Sequence, residues 1–350
     1  MNEFLKSILD GIYMIVQNYG LSIVVFTILV RLCLMPLDYK SRVGMRKMSQ
    51  LAPKQAELQK KYQKDPDKMQ RKLAELYKKE KVSPMSSCWP MLVSMPILLA
   101  MFTAMRMMAN EQLIEQTFNI LLTGDTALEP FLWIKNLWMP DSPFNAAWPS
   151  VQSLQIIEAR DWLTVFNEWL AATPERITAL SQAIGIELSA ASFEGDAFKP
   201  TVEAICNAMI ARPEYGPNTA ELSHMTINLL IAKWTVVAQW NGLFLLPLMS
   251  AGSQFLMTKL NPSTQPQPAA NSEQAQQQAA TGGFMKWFFP LFSLFLCASY
   301  NAAFALYWVT SNLIAMAQNF VINKYLDHKE KIAAENPDAG EDMSAKQSIK

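Results

Sequence analysis

The sequence has few histidines and cysteines, and it carries no net charge. It has 350 residues with two histidines, four cysteines and a formal net charge of zero, so the whole-chain charge does not suggest DNA or RNA as a partner. The sequence contains no GxxxxGK[ST] phosphate loop, no HExxH zinc motif and no GxSxG nucleophile turn. We therefore expect no cofactor, no metal site, no direct DNA binding and no enzymatic activity.

The charged residues are segregated along the chain. Residues 40–81 carry fourteen Lys and Arg against five acidic residues, whereas residues 109–238 carry six against fifteen. Segments rich in Lys and Arg stay on the cytoplasmic side of a membrane. This distribution predicts that 40–81 is cytoplasmic and that 109–238 lies outside.

Five apolar stretches of the chain can cross a bilayer core of about 30 Å. They predict an all-α polytopic membrane protein with five transmembrane helices, the N-terminus outside and the C-terminus cytoplasmic. The predicted order is an external amphipathic segment (1–20), the first span (21–38), a cytoplasmic helical hairpin (39–85), the second span (86–108), an extracellular region with a helical insertion (109–238), the third span (239–258), a disordered cytoplasmic linker (259–283), the fourth span (284–300), the fifth span (301–323) and a loose cytoplasmic tail (324–350).

Arg31 interrupts the first apolar run, at 21–37, about 9 Å of helix from its cytoplasmic end at 1.5 Å per residue. A guanidinium near mid-membrane costs roughly 2.5 to 3.5 kcal/mol and stays charged. It must therefore face water or protein rather than lipid. One interpretation is that Arg31 snorkels to the cytoplasmic headgroups. We favour the other, in which it lines a functional cavity.

The apolar cores of the five spans contain no Asp or Glu, which argues against a proton-coupled pump. They do contain uncharged polar residues at helical spacing. On the third span these are Ser250, Ser253, Gln254 and Thr258, and on the fifth they are Tyr307, Ser311 and Gln318. Such residues often serve only helix packing. A buried cation at Arg31 needs polar neighbours, so a polar lining is the alternative.

The cytoplasmic segment resembles a pair of amphipathic helices. The first arm carries apolar residues at helical spacing, with Pro53 as a bend or local helix start. Asp65 and Pro66 then offer an N-cap and a first helical position for the second arm. The hairpin either docks substrate or only enforces topology, and the sequence leaves both open. In the external region, residues 142–238 predict a small helical unit without identifiable chemistry.

Five motifs occur together in the order typical of the YidC insertases, and the chain resembles that family. They are VRLCLMPL (30–37), QLAPKQAELQKKYQKDPDKMQRKLAELYKKEKVSP (50–84), CWPMLVSMPILLAMFTAMR (88–106), FLWIKNLWMPD (131–141) and LYWVTSN (306–312). The resemblance implies the five-span, Gram-positive-type architecture, with a polar groove open to the cytoplasm and to lipid. It places Arg31, Tyr307 and Trp308 in that groove, and Gln254 and Ser311 are added by position.

The resemblance implies a membrane insertase and chaperone for nascent membrane proteins that acts without ATP. Membrane lipids surround it, and the Sec translocon and the ribosome are candidate partners. Acidic tails of the substrate would be attracted by Arg31. A channel or secondary transporter is the alternative from another class, and a passive assembly scaffold is a third. The transporter alternative predicts internal repeats, which the sequence does not show.

Overall fold

The computed structural model describes residues 2–80, 82, 89–229, 232–260 and 273–335. These residues are mainly helical, as predicted, with one pair of β-strands. The helices are α1 (Asn2–Val16), α2 (Tyr19–Lys61), α3 (Pro66–Lys79), α4 (Trp89–Thr123), α5 (Val151–Gln155), α6 (Ala159–Ala172), α7 (Pro174–Ile184), α8 (Phe198–Ile210), α9 (Tyr215–Thr219), α10 (Leu245–Leu260), α11 (Glu273–Ser299) and α12 (Ala302–Glu335). The strands are β1 (Glu221–Leu229) and β2 (Ala232–Val237).

The described helices form two compact units. The first consists of Met1–Thr27, Leu98–Gly252 and Pro290–Thr310, and the second of Ile28–Ile97, Ser253–Phe289 and Ser311–Lys350. By length and composition, one described helix, α2, is apolar enough to cross a membrane, with a mean hydropathy of 2.2 in its most apolar window. A second apolar segment, Lys286–Ser299 within α11, is shorter.

Helix α2 excludes one of the two predictions for Pro53, that it starts a helix, and leaves the bend as a prediction. The helix runs without interruption from Tyr19 to Lys61, so Pro53 neither starts nor ends a helix. A proline inside a helix removes one backbone hydrogen bond. The exposed position of Pro53 on the helix lets water satisfy the freed carbonyl group.

The second arm of the cytoplasmic hairpin begins as the sequence predicts. Asp65 is the N-cap of α3, its carboxylate accepts a hydrogen bond from the Lys68 backbone N–H, and Pro66 is the first helical residue. Apolar residues on one stripe of α3 are half-buried, while most of its charged side chains are exposed. The arms are linked by an ion pair between Lys54 Nζ and Glu80 Oε1 at 2.8 Å.

Two predicted flexible segments are partly helical, and both predictions need correction. The linker at 259–283 is helical from Glu273 onward, and the tail is helical as far as Glu335. The helical part of the linker is rich in Ala and Gln, and that of the tail is rich in Ala, Glu and Lys; these residues favour helix when a preceding or following helix supplies the nucleus. The predictions for 261–272 and 336–350 lie outside the described residues.

The external insertion has its own core in the first unit. Large side chains of α6, the 3₁₀ helix Ala190–Phe193 and α8 are fully buried. Trp162 stacks on Phe193 at 6.0 Å between ring centroids, and Phe118 of α4 packs edge-on against Trp169. Burying such aromatic side chains stabilises the insertion by roughly 1.5 to 3 kcal/mol each. The predicted helical unit is therefore confirmed for this part of the insertion.

The last part of the insertion forms two β-strands instead of helix. Strands β1 and β2 pair antiparallel, with Ile227 opposite Trp234 and Thr226 opposite Thr235. The sequence predicted that residues 221–237 belong to a helical unit. The β-branched and aromatic residues of this stretch favour strand, and that local preference prevails here.

A buried polar network, the Asn136–Asp141–Asn241 network, joins the two ends of the insertion. The Asn241 side chain is fully buried, donates to the carbonyl oxygens of Asn136, Met139 and Pro140, and accepts from the Asn136 N–H. The buried Asp141 carboxylate accepts hydrogen bonds from three donors. These are the backbone N–H groups of Phe244 and Leu246 and the indole N–H of Trp133.

Residue 242 must be glycine because of this network. A Cβ there would collide with the Asp141 carboxylate and would lie 3.0 Å from its Cα. The Asp141 carboxylate caps the N-terminus of α10 by accepting the Leu246 N–H. Glycine at 242 allows the backbone of that residue to come close enough to Asp141 for this contact.

Candidate functional site

Arg31 makes its closest described contacts with a hydroxyl group of α12. Its Nε and one terminal nitrogen donate to Ser311 Oγ at 2.9 and 2.6 Å. Arg31 is half-buried, and Ser311 is buried. The two residues are 280 positions apart in the sequence and belong to the same unit. The guanidinium thus contacts protein, as expected of a cation in an apolar run.

Two further hydrogen bonds between polar groups lie in the same unit as the Arg31–Ser311 contact. Gln318 Nε2 donates to the backbone carbonyl of Arg31 at 3.0 Å, and Asn312 Nδ2 donates to Ser253 Oγ at 3.0 Å. These bonds link α12 to α2 and to α10 within the second unit. We call Arg31, Ser311 and Gln318 the Arg31 cluster.

None of the ion pairs in the described part of the chain includes Arg31. At longer range the charge of Arg31 interacts with the Asp38 carboxylate, seven residues further along α2. Arg46, fifteen residues further along α2, differs from Arg31 because Arg46 forms ion pairs with Asp327 at 2.5 Å and with Glu330 at 3.3 Å. A cation held by a neutral hydroxyl keeps its attraction for an anion.

Unsatisfied polar atoms accompany this cluster. Gln318 Oε1 is buried and has no hydrogen-bond partner among the described residues. On the same helix, in the first unit, the indole N–H of Trp308 is also buried and unpaired in the described part. Buried polar groups of this kind cost free energy unless water or a ligand satisfies them.

The structure places the predicted site residues in two groups. Arg31 and Ser311 are in contact, and Gln254 lies half-buried on α10 of the same unit. Tyr307 and Trp308 belong to the first unit, and Tyr307 is 5% exposed. The sequence places Gln318 on the same face of the fifth predicted span as Ser311, but Gln318 was not among the residues predicted to line the groove. The spacing of seven residues between Ser311 and Gln318 was the available signal.

Two other polar residues of α10 serve packing. The buried Ser250 hydroxyl lies 2.7 Å from the Pro247 carbonyl oxygen and 3.2 Å from that of Ser293 on α11. Thr258 Oγ1 donates to the Gln254 carbonyl at 2.9 Å. These contacts favour the packing interpretation for Ser250 and Thr258.

Comparison with known proteins gives a family match over most of the chain. The model of a family described as "60Kd inner membrane protein" matches residues 11–188 and 206–330. Three bacterial proteins named "Membrane protein insertase YidC" are similar. The chain is 39% identical over 129 residues to the Clostridium perfringens protein, covering 36% of this chain and 47% of that protein.

The two other relatives differ in how much of the chain they match. Identity to the Wolinella succinogenes protein is 45% over 95 residues, covering 27% of this chain and 18% of that protein. For the Chlorobaculum tepidum protein it is 26% over 319 residues, covering 91% of this chain and 35% of that protein. In all three cases the match spans less than half the relative's length.

Proposed function

This chain belongs to the 60Kd inner membrane protein family, and we propose on that premise that it is a membrane protein insertase. It moves short hydrophilic tails of nascent membrane proteins across the bilayer and releases their hydrophobic segments into lipid, without ATP. The relatives named above carry the insertase name, which supports this assignment.

One observation carries the proposal: a half-buried guanidinium that is hydrogen-bonded to a hydroxyl and has no contact carboxylate among the described residues. A negatively charged tail that enters such a cavity gains more from the charge than it does in water, because the effective dielectric constant is lower. The gain offsets part of the cost of removing the tail from water.

The proposed architecture has five spans around a polar groove, of the Gram-positive type. Each of the five predicted spans overlaps a described helix, namely α2, α4, α10, α11 or α12, which supports this count. The N-terminus lies outside and the C-terminus in the cytoplasm. Arg31, Gln254, Tyr307, Trp308 and Ser311 line the groove, together with Gln318.

The driving force comes from the substrate itself. A segment of about 20 apolar residues gains free energy on leaving water for the bilayer core, which requires no bond to be made or broken. The cytoplasmic hairpin recruits or guides nascent chains through the half-buried apolar stripe and exposed lysines of α3. The Sec translocon and the ribosome are the further partners that we propose.

The test is reconstitution of the full chain into sealed liposomes free of nucleotides. A small membrane protein with an acidic tail is synthesised outside them and then treated with protease. We expect several-fold more protected tail than with protein-free liposomes. Equal protection would contradict insertase function, and leakage of a small trapped dye would instead favour the channel alternative.

Labelling of residue 31 tests the groove separately. Arg31→Cys, in a variant whose four native cysteines are replaced, should react with a membrane-impermeant thiol reagent added from the cytoplasmic side. A polar groove holds the water that thiolate chemistry needs. Leu29→Cys is the matched control, because the exposed Leu29 side chain lies two residues away and would face lipid. Equal labelling at both positions, or none at residue 31, would argue against a cytoplasmic groove.

A further inference from the structure

The β1–β2 hairpin has one polar and one apolar side. Ile227 pairs with Trp234, and the neighbouring pairs are Thr226 with Thr235 and Asn228 with Lys233. Adjacent pairs in a sheet point to opposite faces. The Thr226 and Thr235 hydroxyls are 3.1 Å apart, which places a hydrogen-bonded pair on the polar side.

The apolar side is uncovered. Ile227 and Trp234 are each 47% exposed. Trp234 keeps this exposure although its ring stacks on Phe144 at 5.6 Å. A hairpin that leaves large apolar side chains in water forgoes most of their burial energy.

The base of the hairpin is fixed to the start of α10. The backbone N–H of Val237 donates to the Pro143 carbonyl at 3.1 Å, and that of Asn241 donates to the Asn145 carbonyl at 2.9 Å. The Asn136–Asp141–Asn241 network then connects this base to Leu246 in the first turn of α10. All these residues belong to the first unit.

We propose that the apolar side of the hairpin, Ile227 with Trp234, lies in the outer lipid leaflet and anchors the external insertion to the membrane surface. The proposal rests on the proposed function in one respect, because it takes α10 as a membrane span whose N-terminus is at the outer surface. Seven residues separate Val237 from Leu245, which limits their separation to roughly 28 Å of extended chain. The hairpin base therefore lies within that distance of the start of α10.

The residue types fit a lipid interface better than a protein partner. Tryptophan is enriched where bilayer meets water, because its ring is apolar and its N–H is polar. The exposed Lys233, paired with Asn228 on the other face, can reach a lipid phosphate with its long side chain. Exposed apolar side chains also continue along the chain, with Leu243 before α10 and Leu245 and Leu248 in its first turn.

Spin labels at three positions test the proposal in the full chain, with one copy in each lipid nanodisc. A nitroxide is placed at residue 227, at residue 228 as the matched control on the polar face, and at residue 248 as the reference for the α10 span. We expect residues 227 and 248 to be accessible to oxygen and protected from a water-soluble nickel chelate. Residue 228 should show the reverse.

Each other outcome overturns the proposal, and they differ in what else fails. Nickel accessibility at 227 equal to that at 228, with 248 in lipid, refutes the hairpin anchor and leaves the spans intact. Low accessibility of 227 to both reagents means that protein covers this face. Water exposure at 248 removes the span on which both the anchor and the five-span insertase depend.

Discussion

Arg31→Glu is expected to reduce insertion of a substrate with an acidic tail by at least about tenfold, which corresponds to about 1.4 kcal/mol. The variant replaces attraction by repulsion, and at an effective dielectric constant of about 20 each contribution is about 4 kcal/mol at 4 Å. Arg31→Lys keeps the cation and should retain much of the activity. The measurement is protease protection of one small substrate that carries an acidic, a neutral or a basic tail.

Ser311→Ala is the control for this series. It removes the hydroxyl that the guanidinium contacts at 2.6 and 2.9 Å but leaves the charge in place. The order of preference among acidic, neutral and basic tails should survive in Ser311→Ala and reverse in Arg31→Glu. If Arg31→Glu impaired all three tails equally, Arg31 would hold the fold or hydrate the cavity, and electrostatic attraction would be refuted.

Asn241→Asp should destabilise the first unit by at least about 3 kcal/mol. The substitution keeps the shape, but it replaces an amide that donates to three carbonyl oxygens by a carboxylate that faces them. Each buried group left unsatisfied costs about 1 to 3 kcal/mol, and a buried charge costs more. Thermal unfolding of the purified protein in nanodiscs measures the loss.

The pH dependence identifies the cause of that loss. Repulsion from the carbonyl oxygens raises the pKa of the introduced carboxyl group in the folded state above its unfolded value. The folded state then binds the proton more tightly, so stability should recover as pH falls. Asn228→Asp, at an exposed position of β1, is the control and should change stability little. A pH-independent loss would indicate a cause other than the buried charge.

The parts of this fold that follow from local sequence were predictable. The Asp65 cap and the Pro66 start of α3 need only short-range hydrogen bonding and the fixed φ of proline. Arg31 needed a partner, since an isolated cation in an apolar run is costly. That the partner is Ser311 depends on how α2 packs against α12, which no local pattern specifies.

The parts that were missed depend on competition between signals. The Thr, Ile, Val and Trp content of 221–237 favours strand, and only its position after several helical segments suggested helix. The roles of Asn136, Asp141 and Asn241 could not be read from the sequence, because their partners lie up to 105 positions away. Asn136 and Asp141 lie in the recognised motif FLWIKNLWMPD, but the motif does not show which distant residues they hydrogen-bond.

The same network brings the two ends of the external insertion together. Gly242 N–H donates to the Ser142 carbonyl at 3.2 Å, and Asn241 Nδ2 donates to that of Pro140 at 2.8 Å. Because the two ends of this segment are adjacent, its length can change without moving the helices that flank it. Its length can change by tens of residues at little entropic cost, since a doubled loop costs only about 0.6 kcal/mol. The helices on either side, α4 and α10, then keep their positions, so a foreign domain whose termini are adjacent can be inserted here.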